Sequence, residues 1–132
     1  MFKIRRQSLN YLGVSDNVSD EIARADCVVL PSFYREGTPR TLLEAAAMAR
    51  PIVTTDSVGC REVVDDGING FLCRPRDSFD LAEKLAQMAT LSPGERKAMG
   101  LRGREKAERQ FDERIVINKY LETIEAILES QD

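Results

Sequence analysis

Residues 27–56 read CVVLPSFYREGTPRTLLEAAAMARPIVTTD, and this stretch decides the fold. It begins with a short apolar run and ends, over residues 51–56, with a second run that is rich in β-branched side chains. Short apolar runs without alternation are typical of strands buried on both faces of a parallel sheet. Between the runs, residues 39–49 predict a helix, with Thr38 as its cap and Pro39 in its first turn. A strand, a helix and a strand in this order predict a right-handed crossover between parallel strands.

Weaker signals on both sides extend this pattern. Residues 70–73 predict a third buried strand, which two turn dipeptides precede within residues 66–70. Residues 60–65 predict a short helix ahead of these turns. Closer to the N-terminus, residues 10–13 predict an edge strand and residues 18–25 a short helix.

Beyond Asp77 the chain is charged and helical in its periodicity. Residues 78–89 predict a helix with Ser78 as its cap, and Ser92 begins a capping box whose helix continues to about Arg109. A last helix is predicted to begin at Asp112. The fold class is therefore α/β: a partial Rossmann-like domain of three αβα layers with a short parallel sheet, followed by C-terminal helices. Residues 1–10 are predicted to be irregular, and residues 11–132 to form one domain.

The composition excludes several classes of function. The 132 residues include 19 basic and 22 acidic side chains, for a net charge of −3, whereas a nucleic-acid-binding domain is normally strongly basic. The chain has no histidine, which excludes Ser-His-Asp and Cys-His nucleophiles and zinc sites with histidine ligands. We therefore predict no nucleic-acid partner.

The cysteines and the apolar runs indicate a cytoplasmic protein. Cys27, Cys60 and Cys73 are odd in number and lack C-x-x-C spacing, which argues against a disulfide scaffold and a zinc ribbon. No apolar run approaches the roughly 20 residues that span a bilayer. The basic residues near the N-terminus lack a following apolar segment, so no secretory signal is predicted.

The most unusual residues follow the first buried strand. Ligands of open α/β sheets bind at the carboxyl ends of the strands, where the next helices present their N-termini. At that place the turn Arg-Glu-Gly-Thr-Pro-Arg-Thr, residues 35–41, opens the alanine-rich helix. Gly37 permits close approach of a ligand, and the helix start can bind a phosphate through backbone amides and the helix dipole. The predicted anion site comprises the amides of Thr38, Arg40 and Thr41 and the Arg40 guanidinium, with Glu36 and Glu44 on either side.

The same carboxylates also have a purely structural interpretation. Glu36 could pair with Arg35 or Arg40, and Glu44 with Arg40. Against this, Glu44 is surrounded in sequence by apolar residues, Leu42, Leu43, Ala45 and Ala46, where a carboxylate is unfavourable unless it has a polar partner. A ligand with phosphates at its centre and hydroxyls at both ends would provide such a partner.

These motifs, taken together and in register, resemble a known family. ADCVVLPS at residues 25–32, REGTPR at 35–40, LLEAAAM at 42–48 and PIVTTD at 51–56 resemble the C-terminal domain of glycosyltransferase family 4, the retaining enzymes of the GT-B fold. DGINGFL at residues 66–72 continues the pattern. The motif sequences at residues 35–40 and 59–62 resemble those of a bacterial subgroup of the family, whose members extend lipid-diphosphate-linked oligosaccharides.

The resemblance implies roles for individual residues. Glu36 would be the first acidic residue of the family's E-x7-E motif, a catalytic residue that contacts hydroxyls of the donor sugar. Glu44 would be the second and contact the ribose. The amides of Gly37, Thr38 and Arg40 would hold the diphosphate, although Pro39 lacks the amide that much of the family has there. The implied donor is a nucleotide sugar, with UDP-sugar the expected substrate and no cofactor or metal, and the implied acceptor is a lipid-diphosphate-linked saccharide.

The resemblance covers only the second half of a GT-B C-terminal domain. The acceptor domain, the base-binding strand and the basic pair that stabilises the leaving diphosphate are not in this sequence. We therefore expect a fragment that lacks its N-terminal domain, is inactive alone and self-associates through uncovered apolar faces and an unpaired sheet edge. We expect the protein to be cytoplasmic and peripherally associated with the cytoplasmic face of the membrane.

Other interpretations remain open at this stage. The chain could be a non-catalytic nucleotide- or phosphate-binding α/β module, or an oligomeric remnant. Cys60 could be a reactive thiol or a packed cysteine, and Asp65-Asp66 a metal pair or part of a turn. The basic residues between 96 and 109 could form a nucleic-acid groove, but a solvated helix face is the stronger expectation.

Overall fold

A computed structural model describes residues 2–5, 8–11, 18–31, 40–110 and 127–129. Along the chain, the described elements are two strands, a helix, strands and helices in alternation, and a second helix after the last strand and helix. The elements are β1 (Phe2–Arg5), β2 (Ser8–Tyr11), α1 (Val18–Arg24), β3 (Cys27–Leu30), α2 (Arg40–Ala47), β4 (Ile52–Thr55), α3 (Val58–Val63), β5 (Gly70–Cys73), α4 (Ser78–Thr90) and α5 (Pro93–Gln110).

The described strands form one sheet in the order β2-β1-β3-β4-β5. β3, β4 and β5 are parallel, with Val29 opposite Val53 and Val53 opposite Phe71. This confirms the three buried strands and the crossover through α2 that the sequence predicts. The first residue of β5, Gly70, has to be a glycine, because a Cβ there would overlap the carbonyl oxygen of Ile52 on β4.

The prediction that residues 1–10 are irregular is wrong. β1 and β2 pair antiparallel as a hairpin, and β1 also pairs antiparallel with β3, with Lys3 opposite Val28. The sequence Phe-Lys-Ile-Arg of β1 alternates apolar and basic residues, which is the period of a strand. The hairpin thus covers one side of β3, and β2 and β5 are the edge strands of the described sheet. The predicted self-association itself stays a prediction.

Helices cover both faces of the sheet and give the predicted three layers. On one face α1, α2 and α3 pack with β3 and β4 around Ile22, Val28, Leu42 and Ile52, which are fully or almost fully buried. On the other face α4 contributes Met88 to a second cluster with Cys27, Val29 and Val53. α5 contributes Met99 to the second cluster and Ala107 to the first, so it joins the two layers.

Three helices differ from the sequence prediction by more than one residue at a boundary, or in the cap, the first being α2, which ends at Ala47 rather than at residue 49. α3 spans Val58–Val63 rather than 60–65, because Asn69 ends it: its Nδ2 donates to the Val63 carbonyl at 2.8 Å and its Oδ1 accepts from the Asp65 amide at 2.7 Å. The cap of α4 is Asp77, not Ser78, since Asp77 Oδ1 accepts the Asp80 amide at 2.9 Å.

The capping box at the start of α5 is confirmed. The Glu95 amide donates to Ser92 Oγ at 3.1 Å, and Glu95 Oε1 accepts the Ser92 amide at 3.0 Å. The helix predicted from Asp112 lies outside the described residues, apart from the helical residues 127–129.

Candidate functional site

The carboxyl ends of β3, β4 and β5 lie at one edge of the sheet, and α2 begins beside them. The crossover from β3 to β4 requires α2 to start at the end of β3 where Leu30 lies. Arg40, Thr41 and Glu44 therefore lie where α/β proteins bind ligands. Glu36, Gly37 and Thr38 fall outside the described residues, so their predicted roles stay predictions.

Glu44 is largely buried at this helix start. Its side chain is 14% exposed, and its neighbours Leu42, Ala45 and Ala46 belong to the core. Arg40 Nε lies 3.4 Å from Glu44 Oε1, an i,i+4 ion pair, and the Arg40 side chain is 74% exposed. The ion pair that the sequence offers as the alternative for Glu44 is confirmed, and it joins two of the predicted site residues.

One side-chain and one backbone hydrogen bond fix the neighbouring strand ends. Thr54 Oγ1 donates to the Leu30 carbonyl at 2.7 Å and so ties β4 to the end of β3. The Asp56 amide donates to the Cys73 carbonyl at 2.7 Å, which ties the segment after β4 to β5. The edge beside α2 is thus held by specific bonds between strands.

A cleft that the sequence analysis missed opens at the same edge, on the α4 side. Its volume is about 410 Å³, and Pro31, Thr55, Cys73, Arg74, Arg76, Asp77, Ser78 and Leu81 line it. Arg74 Nε lies 3.2 Å from Asp77 Oδ2, and Arg76 has a φ of 56°. The one available signal was the charged segment that directly follows the third buried strand.

The cysteines have the character of packed side chains. Burial raises the pKa of the Cys27 thiol to about 12. Burial first, and then the charge of Asp80, raise the pKa of the Cys73 thiol. Cys60 is 2% exposed within the core, and Thr55 Oγ1 lies 3.9 Å from its Sγ. These environments favour the packed interpretation of Cys60 over the reactive one.

Asp65 and Asp66 serve the turn before β5. Asp65 Oδ1 lies 2.9 Å from Lys106 Nζ, and Asp66 Oδ1 accepts the Leu72 amide at 2.9 Å. Within the described part of the chain, no group of three or more His, Cys, Asp or Glu side chains could hold a metal ion. The contacts of the two aspartates fit the turn interpretation.

The basic residues of α5 are less solvated than predicted. The expected i,i+4 pair is present, with Arg104 Nε 2.6 Å from Glu108 Oε1. However, Arg96, Arg102 and Arg104 each donate to a backbone carbonyl of another segment, and the Lys106 side chain is only 6% exposed. These cations hold the fold together, which argues against a nucleic-acid groove.

Comparison with known proteins connects this arrangement to one family. The family described as glycosyl transferases, group 1, matches residues 3–90. N,N'-diacetylbacillosaminyl-diphospho-undecaprenol alpha-1,3-N-acetylgalactosaminyltransferase of Campylobacter jejuni is 29% identical over 93% of this chain and 32% of its own length. N-acetyl-alpha-D-glucosaminyl L-malate synthase of Bacillus anthracis is 34% identical over 86% of this chain and 29% of its own length.

Solved structures show the same architecture. The Anabaena protein HepE, in complex with UDP, superimposes with a TM-score of 0.70 at 25% identity, covering 89% of this chain and 32% of HepE. The chain spans about a third of the length of the curated relatives it matches, which are 32% and 29% covered. Among the residues described, no helix combines the length and the apolar character needed to cross a bilayer. With its βαβ crossover and a family match over residues 3–90, the chain belongs to the group 1 glycosyl transferases.

Proposed function

We propose that this chain carries the donor-binding half-site of a glycosyltransferase and binds a nucleoside diphosphate sugar, UDP-sugar in particular, at the start of α2. Glu44 accepts hydrogen bonds from the ribose hydroxyls, and Glu36 contacts hydroxyls of the sugar. The backbone amides of Gly37, Thr38, Arg40 and Thr41 hold the diphosphate.

The observation that carries this proposal is the placement of Glu44. Its side chain is 14% exposed among core residues, within the first turns of a helix that starts at the carboxyl edge of a parallel sheet. A carboxylate there is costly to bury unless it has polar partners. Because ribose hydroxyls are hydrogen-bond donors, they are suitable partners for an ionised carboxylate.

The ion pair with Arg40 suits exchange with a ligand. The arginine of the pair is 74% exposed, and ribose hydroxyls would replace it as hydrogen-bond partners of the Glu44 side chain, which is 14% exposed. Arg40 can therefore turn from Glu44 towards a diphosphate at little cost. Such a move would leave Glu44 available for the ribose and add a forked, charge-assisted contact to the phosphates.

The comparisons support UDP as the nucleotide and a lipid-linked acceptor. The HepE structure is a complex with UDP, and the name of the Campylobacter jejuni relative specifies a diphospho-undecaprenol acceptor. In the whole protein, the bond between the anomeric carbon and the diphosphate oxygen breaks, an acceptor hydroxyl oxygen bonds to that carbon with retained configuration, and UDP leaves with the proton that the hydroxyl gives up. A hexosyl residue is thereby added to a growing lipid-linked glycan in the cytoplasm, at the membrane face.

We propose further that the 132-residue chain binds the donor but does not turn it over. The basic pair that the family places upstream would be needed to stabilise the leaving diphosphate. An acceptor domain would be needed to orient the acceptor hydroxyl, an effect that can reach ~7–11 kcal/mol. We expect a Kd for UDP of roughly 1 mM.

Titration calorimetry of the chain with UDP tests the proposal. Glu44→Gln keeps the size of the side chain and removes its charge, and should weaken UDP binding by about tenfold, the effect of losing a hydrogen bond to a charged group. Glu83→Gln on the exposed surface of α4 makes the same chemical change away from the site and should leave affinity unchanged. No binding by the unmodified chain, or equal loss in both variants, would reject the proposal.

A further inference from the structure

α5 holds the far end of the helix that carries the candidate site. The Arg104 guanidinium donates a hydrogen bond to the carbonyl oxygen of Ala47, the last residue of α2. Glu108 orients that guanidinium, because its Oε1 lies 2.6 Å from Arg104 Nε. A cation at this position also interacts favourably with the negative end of the α2 dipole.

The backbones of the two elements are in direct contact beside this bond. A Cβ at Gly100 of α5 would overlap the carbonyl oxygen of Ala49, just after α2. Ala49 has a φ of 57°, the left-handed conformation that closes a helix, and its amide donates to the Ala46 carbonyl at 3.0 Å. The C-terminal turn of α2 therefore rests on α5 without an intervening side chain.

α5 is itself fixed to the fold through bonds that do not involve α2. Arg102 Nε donates to the Ile68 carbonyl at 2.7 Å, and Lys106 Nζ lies 2.9 Å from Asp65 Oδ1. Both partners belong to the turn before β5. α5 can therefore serve as a fixed support against which the position of α2 is set.

We infer that Arg104 is a positioning residue for donor binding: through the Ala47 carbonyl it fixes where α2 lies and hence where Glu44 meets the nucleotide. The inference rests on the proposed function. Ala47 is less than one helical turn from Glu44, and α2 has eight residues, about 12 Å of helix. Such a short helix moves as a unit, so a shift at Ala47 is passed on to Glu44. Displacements of ~1 Å are enough to weaken oriented contacts strongly.

Two arginines on α5 provide a matched test. Arg104 and Arg102 each donate to a backbone carbonyl, but only Arg104 reaches α2. Arg104→Met should raise the Kd for UDP by three- to tenfold at a temperature where the protein is fully folded. Arg102→Met should destabilise the protein to a similar degree and change the Kd by less than twofold. Arg104→Lys, which keeps a charged donor, should restore most of the affinity.

A double-mutant cycle shows whether Arg104 acts through Glu44. If it does, Arg104→Met should add little to the loss of UDP affinity already caused by Glu44→Gln, because residues acting in series are not additive. Additive losses would overturn the inference. If Arg104→Met does not fold, Glu108→Gln takes its place, since it removes the carboxylate that orients the guanidinium.

Amide hydrogen exchange separates this inference from the proposed function. In the ligand-free chain, Arg104→Met should accelerate exchange in α2 by at least tenfold more than Arg102→Met does. Equal exchange in the two variants would overturn the positioning role even if UDP binds. Failure of the unmodified chain to bind UDP would instead count against the proposed function.

Discussion

Lys106 and Asp65 form an ion pair that is buried at one end and open at the other. The distance from Lys106 Nζ to Asp65 Oδ1 is 2.9 Å, and the side chains are 6% and 49% exposed, respectively. The lysine comes from α5 and the aspartate from the turn before β5. This pair fixes α5 to the sheet and makes the aspartate the partner of a desolvated ammonium group.

Because the lysine is buried and the aspartate is about half exposed, substituting the two partners should lower the free energy of unfolding by unequal amounts. Asp65→Ala leaves a buried ammonium without its carboxylate and should lower the free energy of unfolding by about 1–3 kcal/mol. Lys106→Met removes the charge but keeps an apolar stem, and should cost less than Asp65→Ala. Urea unfolding of the single variants and the double variant measures this. If Lys106→Met proves the more damaging change, the ammonium is not the desolvated partner.

Two glycines of α5 predict opposite effects of one substitution. Gly100→Ala places a methyl group against the Ala49 carbonyl and should lower the free energy of unfolding by about 1–3 kcal/mol. At Gly94 the nearest atom to an added Cβ is Ser92 Oγ at 3.9 Å, so Gly94→Ala should be neutral or stabilise by up to about 1 kcal/mol. Thermal unfolding distinguishes the two, and equal effects would contradict the packing of α5 on α2.

The capping box predicts a pH dependence of stability. The hydrogen bonds from the Ser92 amide and hydroxyl lower the pKa of Glu95 below 4.5. A carboxyl whose folded-state pKa is depressed stabilises the fold above the unfolded-state pKa and loses that effect as the pH falls through the folded-state value. Glu95→Gln keeps an acceptor but no charge. Its melting temperature should therefore lie below that of the unmodified protein at pH 7 and converge with it below pH 4.5. A constant difference would contradict this account.

The N-terminal hairpin predicts the association behaviour of the chain. β1 covers the edge of β3, whose residues Cys27 to Val29 are almost fully buried. Removal of residues 1–11 should expose this edge and cause association at lower protein concentration than in the full chain, because unpaired strand edges are templates for pairing. Light scattering over a concentration series measures it. Unchanged scattering after the truncation would argue that the hairpin does not protect β3.

The elements between prolines were the predictable part of this fold. The prolines at 31, 39 and 51 delimit β3, α2 and β4, and the helix and strands form as the apolar runs predict. The hairpin was missed because its strands are only four residues each and β1 carries two basic side chains; β2 overlaps the edge strand that was predicted over residues 10–13. Such short strands gain their stability from pairing, β2 with β1 and β1 with β3, and the pairing with β3 is a tertiary contact.

The candidate site and its surroundings also contain contacts that the sequence predicts and contacts that it does not. The ion pair of Arg40 and Glu44 was predictable because i,i+4 spacing on a helix brings the two side chains together. The contact of Arg104 with Ala47 was not predictable, since it joins two segments far apart in the sequence whose approach depends on the whole packing. For the same reason the cleft beside Arg76 has no local motif.

Mapping of backbone amide shifts during a UDP titration tests the central claim most directly. If α2 holds the nucleoside diphosphate, the largest shifts on adding UDP should fall on residues 37–44. Inorganic phosphate should reproduce the shifts of residues 37–41. It should leave the Glu44 amide nearly unchanged, because only the ribose reaches Glu44. Shifts confined to residues 96–109 would show non-specific attraction to the basic side chains of α5 and would contradict the assignment of α2 as the donor site.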